Sequence, residues 1–185
     1  MNGNKIEKFM QLGGQHVAEK FEAGDEKRQK LGAQLLLSEV LEYVIKGLGV
    51  TPLVDGTPIK DPNALSYETS TAEIDGVEAL DGLADVAYTM YWNMHAFGLP
   101  LEEAFDRVCD NNLEKFVALK DWGGEVGELD KQDWHCNCDT SWPEEVESVE
   151  VLKIGTEFFA VGKDKTGKVR KPSHYISVEL SDLIS

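Results

Sequence analysis

Residues 35–44 read LLLSEVLEYV, an apolar run that carries two carboxylates, Glu39 and Glu42. The spacing predicts a long helix over 25–47, with Asp25 as its N-cap and GLG at 47–49 as its stop. On that helix Gln34, Ser38, Glu39, Glu42 and Lys46 share one arc, interrupted by Leu35 and Ile45, and most of the rest is Leu, Val and Ile. Two readings follow. Either the arc faces water and the glutamates are simply solvated, or it faces another helix and a cation from outside the run balances it.

A second segment bears on that choice. In EALDGLADVAYTMYW, residues 78–92, Glu78, Asp81 and Asp85 stand at i, i+3 and i+7, within one narrow sector of a helix running from about 74 to 97 and ending at Gly98. Like charges at this spacing repel, and a solvated helix usually interleaves lysines to offset them. Between Lys60 and Arg107 there is no Lys or Arg, against ten Asp or Glu. A hard divalent ion is a suitable counter-charge. Magnesium takes oxygen ligands, and two facing helices with carboxylates one turn apart build such a site in a bundle core. A di-iron centre would require Glu-x-x-His pairs, which neither helix contains.

Around these two helices the chain reads as mainly α. Residues 5–16 suit a short helix, 48–72 a loop with three prolines, and 100–120 a third helix entered through Pro100, with Glu102 and Glu103 at its positive end and Lys115 and Lys120 at its negative end. From 149 the texture alternates apolar and polar residues around Gly turns, which predicts two or three short strands. Three domains are expected: a helical domain over 1–120, an acidic insert or linker over 121–148, and a small β-rich appendage over 149–185.

Charge and cysteine content narrow the function. The 185 residues carry a formal net charge of −16. A surface of that sign repels duplex nucleic acid and anionic membrane, so neither is an expected partner. Residues 121–150 concentrate the excess, with ten acids against Lys131 alone. No apolar run approaches bilayer length, and the N-terminus lacks the apolar core of a secretory signal, so a cytoplasmic protein is expected. Three cysteines make a disulfide framework improbable. HCNC at 135–138 carries soft metal ligands, but one such cluster without a second pair is a weak signal, and a plain loop is the expected reading.

On the third helix, CDNNLEKF at 109–116 sets Asn112 and Lys115 one turn apart. Lys115 suits a phosphate contact, or equally the stabilisation of a helix C-terminus. The tail DKTGKVRKPSHY supplies Lys163, Lys165, Lys168, Arg170 and Lys171, as a fold-over onto an anion or as a solvated hairpin.

Taken in order, these segments resemble the all-α NTP pyrophosphohydrolase superfamily, the MazG-like and phosphoribosyl-ATP pyrophosphohydrolase-like proteins, and among them phage-encoded members. The family pattern is EExxE on one helix, ExxD on the next, then an Asn–Lys stretch. Here SEVLE puts Ser38 where the leading glutamate stands, EALDGLAD offers Glu78, Asp81 and Asp85, and FDRVCDNNLEKF with the GKVRKPSHY ending is close to the usual run. The resemblance covers 5–120 and 149–180. It implies a helical bundle with a small C-terminal β appendage. It implies a magnesium-dependent enzyme, with manganese as a substitute, that cleaves a (d)NTP to (d)NMP and pyrophosphate. Glu39, Glu42, Asp81 and Asp85 would be metal ligands, and Glu78 a ligand or the residue orienting the attacking water. Glu39 and Glu78 would be the catalytic carboxylates. Lys115, Lys168 and Lys171 would meet phosphate, and Asn112 phosphate or sugar. The partners implied are the nucleotide and further copies of the chain, as a homodimer or homotetramer, in the host cytoplasm for a phage protein. Gln11, Gln15 and His16 are candidates for base recognition.

Two other functions remain open: a nucleotide-binding or regulatory protein of the same fold that has lost a ligand at Ser38, and an acidic mimic of nucleic acid that occupies a basic partner.

Overall fold

The structure is a computed structural model that describes residues 2–70, 73–136 and 140–184. Cys138, half of the soft-ligand pair in HCNC, lies outside the described residues. The chain divides into two compact units, one of Met1–Val17 with Thr89–Ser185 and one of Ala18–Tyr88. Compactness thus parts the chain at other places than the expected boundaries at 120 and 148.

The first unit is built on a four-stranded antiparallel sheet. β3 (Val117–Leu119), β4 (Gly127–Glu128), β5 (Ser148–Ile154) and β6 (Glu157–Lys163) lie in the order β3-β6-β5-β4. β5 and β6 form a hairpin closed by Gly155 and Thr156, with Val151 opposite Ala160. Side chains on a strand alternate between faces, so a sheet buried on both sides must be apolar at odd and even positions alike. β5 and β6 meet that requirement. Val149, Val151 and Ala160 enter one cluster, while Phe159 and Val161, with Leu152 and Ile154, enter the other.

α1 (Asn2–Leu12) and α4 (Leu101–Leu113) cover the second of these faces. Leu12 and Phe116 are buried there, and Phe9 meets Phe116 edge-on at 5.2 Å between ring centres. Lys5 clamps the two helices by pairing with Asp106 at 2.7 Å and Asp110 at 2.6 Å. The other face is covered by the acidic stretch. Trp122, Leu129, Trp134, Cys136, Trp142 and Val146 pack on Val149 and Val151. The indole nitrogens of Trp134 and Trp142 donate to the carbonyls of Leu129 and Trp134. The stretch is therefore a layer of this unit, with its described carboxylates outside and its tryptophans inside.

The second unit holds α2 (Glu26–Glu42), extended by a π-helical turn at Tyr43–Gly47, a two-stranded pairing of β1 (Leu53–Val54) with β2 (Thr57–Pro58), and the start of α3 (Gly76–Phe97). Asp25 caps α2 as expected, accepting from the Arg28 amide at 2.8 Å. Gly98, left-handed at φ +64, ends α3. Among the described residues, the one buried apolar side chain of this unit is Pro62.

The fold is mixed α/β, with 42% of residues in helix and 14% in strand, and the expectation of a mainly α bundle is corrected on that ground. The physical reason lies after Leu113. The expected third helix would have continued to 120, but Val117, Ala118 and Leu119 instead pair with Ala160, Phe159 and Phe158. That long-range ladder and the tryptophan layer turn the appendage into the sheet of a full unit.

Candidate functional site

The acidic half of the expected site lies on α2 and α3. Glu39 and Glu42 are exposed on α2, and Glu42 pairs with Lys46 at 2.8 Å. Glu78, Asp81 and Asp85 are exposed on α3. The Glu78 amide donates to Asp75 at 3.3 Å, which belongs to the helix start and not to a ligand shell. Among the described residues, Glu39, Glu78, Asp81 and Asp85 have no ion-pair partner, and no three His, Cys, Asp or Glu gather closely enough to hold a metal. Ser38 turns its hydroxyl onto the Leu35 carbonyl of its own helix at 3.2 Å.

The basic half is gathered. α4 ends at Leu113, and the turn that follows holds Lys115 half-buried with its ammonium donating to Asn112 Oδ1 at 2.6 Å. The same ammonium stands 5.6 Å from the centre of the Phe9 ring. Burial pushes the Lys115 pKa down from its ordinary value, and the positive charges of Lys171 and Lys168 push it further the same way. Two lysines of the tail therefore act on a lysine that follows α4. Among the described residues none of the three is paired with a carboxylate. In a chain of net charge −16, acids are plentiful, and a cationic cluster left unpaired is set up to receive an anion.

The tail is brought to this place by contacts the sequence did not single out. Asp164 Oδ1 accepts from the Thr166 hydroxyl and from the amides of Thr166 and Lys168, and Asp164 Oδ2 pairs with Arg170 at 2.6 Å. These bonds hold the Asp164 carboxyl down at about 2. Lys171 lies 4.5 Å from the centre of the Tyr175 ring. Asn111 then fastens the next residues. It accepts from the Tyr175 hydroxyl and the Val178 amide and donates to the Ile176 carbonyl at 2.6 Å. Arg107 pairs with Asp182 at 2.7 Å. Of the two adjacent asparagines, Asn112 faces the lysine and Asn111 ties the tail. Their neighbouring positions on a helix give no means to separate these roles beforehand.

Beside the cluster, α1 and α4 border a groove of about 230 Å³. Ile6 and Phe9 line it from α1, and Phe105, Val108 and Asn112 from α4. Of the three base-recognition candidates, Gln11 is exposed on α1, with its amide on Glu7 at 3.2 Å. Gln15 and His16 are exposed beyond the end of α1.

Comparison with family models, curated proteins and solved structures finds no match to this chain. No described helix is long and apolar enough to cross a membrane.

Proposed function

We propose that the chain is a nucleoside triphosphate pyrophosphohydrolase that cleaves a (d)NTP to (d)NMP and pyrophosphate in the cytoplasm. The observation that carries this reading is the unpaired cluster of Lys115, Lys168 and Lys171, with Asn112 held against Lys115. Lys168 and Lys171 act on the Lys115 charge from another segment, and three such positive groups match the charge of a polyphosphate, whose binding offsets their repulsion. The resemblance of the carboxylate helices and of the GKVRKPSHY tail to the all-α pyrophosphohydrolases points the same way.

The donor chemistry of the acidic half suits magnesium, with manganese as a substitute, because the groups are hard carboxylates left without Lys or Arg partners except at Glu42. Glu39, Glu42, Asp81 and Asp85 would hold the ion, with Glu78 as a further ligand or as the group that orients water. When bound, such an ion supplies charge neutralisation at the phosphates. Within one chain the described carboxylates do not gather in threes, so the cage needs a further surface. A homodimer or homotetramer supplies it. Among the described residues, Pro62 alone is a buried apolar side chain of the helical unit, and Val77, Leu80 and Tyr88 are 75%, 70% and 71% exposed. A helical unit with no core of its own reaches stability by packing its apolar face on another surface.

Ser38 favours a second reading. With its hydroxyl turned to Leu35, it is not a metal ligand, and a depleted ligand set suits a nucleotide-binding protein without turnover. The exposure of the acidic stripes likewise keeps an acidic interaction protein in contention. One assay separates these readings: incubation with a panel of NTPs and dNTPs plus magnesium, with pyrophosphate measured. Turnover that EDTA and Asp85→Asn both abolish supports the enzyme. Nucleotide binding without turnover supports the second reading, and the absence of both overturns the proposal.

A further inference from the structure

We infer that the groove between α1 and α4 seats the uncharged, flat heteroaromatic base of the nucleotide whose phosphates lie on Lys115, Lys168 and Lys171. This rests on the phosphate reading of those lysines given above, and it adds the part of the ligand that charge alone leaves undefined.

The argument begins with spacing. Ile6 and Phe9 lie three residues apart on α1, and Phe105, Val108 and Asn112 lie at i, i+3 and i+7 on α4, so each set falls on one helical face. The two faces meet without filling the space between them, and Lys5, paired with Asp106 and Asp110, stands in the lining. What remains is a slot lined mainly by apolar atoms, with Lys5 and Asn112 as its polar members. Cys109 forms part of its wall and is buried, and burial pushes its thiol pKa up, so that wall is neutral. Ile6 and Phe105 are 43% and 42% exposed, more than apolar groups of their size need be in a unit that buries its other faces well.

Size and continuity then choose the ligand. Sites for drug-sized molecules run to roughly 300–1,000 Å³, so a slot of about 230 Å³ takes a fragment such as one ring system and not a whole nucleotide. Two of its residues are shared with the cationic cluster. Phe9 lies under the Lys115 ammonium, and Asn112 accepts from it. The Asn112 Nδ2 donor has no protein partner among the described residues, which leaves an amide N–H at the junction for a ring nitrogen, a carbonyl or a sugar hydroxyl. A ligand with an anionic end and a flat neutral end, joined by a few polar atoms, fits the sequence of cluster, junction and slot. A nucleotide has that form.

The test uses the full chain with magnesium and α,β-methylene dNTP analogues, which resist cleavage between the first two phosphates, against inorganic tripolyphosphate. Calorimetry is expected to show the analogues binding about tenfold or more tighter than tripolyphosphate. Ile6→Trp, which fills the slot, is expected to remove that difference while leaving tripolyphosphate affinity unchanged. In the unaltered chain, methyl NMR signals of Ile6 and Val108 are expected to shift with the analogues and to stay still with tripolyphosphate, a readout that does not depend on the variant folding. Equal affinity for the two ligands with unmoved methyl signals overturns the groove and leaves the phosphate reading standing. Failure of both ligands to bind overturns the phosphate reading, and this inference with it.

Discussion

The six-membered ring of Trp142 lies over Gly162 so closely that a Cβ built on Gly162 would stand 2.4 Å from Cε3. The glycine is required by that approach and not by its backbone angles. Through it, the acidic stretch seats its third tryptophan on β6. Gly162→Ala is expected to destabilise the sheet unit by about 1–3 kcal/mol, the range for forcing an extra carbon into a packed core. Urea denaturation followed by tryptophan fluorescence measures the change. Gly124→Ala makes a comparable approach to Trp122, so the pair of variants compares two indole seats in one layer.

Asn111 offers a second test, because it ties residues 65 positions further along the chain. Asn111→Leu keeps the size of the side chain and removes its bonds to Tyr175, Ile176 and Val178. Each such bond contributes about 0.5–1.5 kcal/mol net, so the tail is expected to come away while the sheet stays folded. Trypsin then cuts faster after Lys168 and Arg170, and triphosphate affinity falls because Lys171 has lost the support of the segment that follows it. A tail that remains as resistant to trypsin as the unaltered chain's would show that Asn111 does not hold it.

These two residues also mark how far the sequence could be read. α2 and α3 were legible because long periodic runs end in recognisable signals, the Asp25 cap and the left-handed Gly98. The β5–β6 hairpin was legible from short strand-like runs around a Gly turn, although the structure buries both of its faces. The tryptophan layer was not, because ten acids among residues 121–150 outweigh Trp122, Trp134 and Trp142 in any count of charge, although these three are what the sheet sees. The strand at Val117–Leu119 was hidden for another reason. Its partner, β6, is forty positions away, and three apolar residues after a helix look locally like more helix. At the site, Lys115, Lys168 and Lys171 were nameable from composition, whereas the groove depends on how α1 meets α4.

Asp164 predicts a response to acid. Its carboxyl, held at about 2 in the folded chain by the Thr166 and Lys168 bonds and by Arg170, has an ordinary value of 3.8. A carboxyl depressed on folding adds stability above its unfolded value and loses it as pH falls through the folded value. The melting temperature of the sheet unit is therefore expected to drop from about pH 4 down to about pH 2, in part because of this residue. Asp164→Asn should lower stability at neutral pH and flatten that portion of the profile. An unchanged acid slope in the variant would assign the loss to other carboxyls.

Lys115 predicts a response in the opposite range. Its ammonium is held below the ordinary 10.5 by burial and by Lys171 and Lys168, so the unfolded chain binds this proton more readily than the folded one. Stability is then expected to rise with pH between the depressed value and 10.5. A polyphosphate laid against the cluster reverses the cause, since a nearby anion favours the charged lysine. Binding should draw a proton from solution at pH values within that interval, and affinity should fall as pH climbs through it. Calorimetry in two buffers of different ionisation enthalpy reads the uptake directly. Lys171→Gln relieves part of the repulsion on Lys115, so it is expected to weaken binding, lessen the proton uptake and make affinity less sensitive to salt. If proton uptake is the same with and without Lys171, the two ammonium groups do not share an anion.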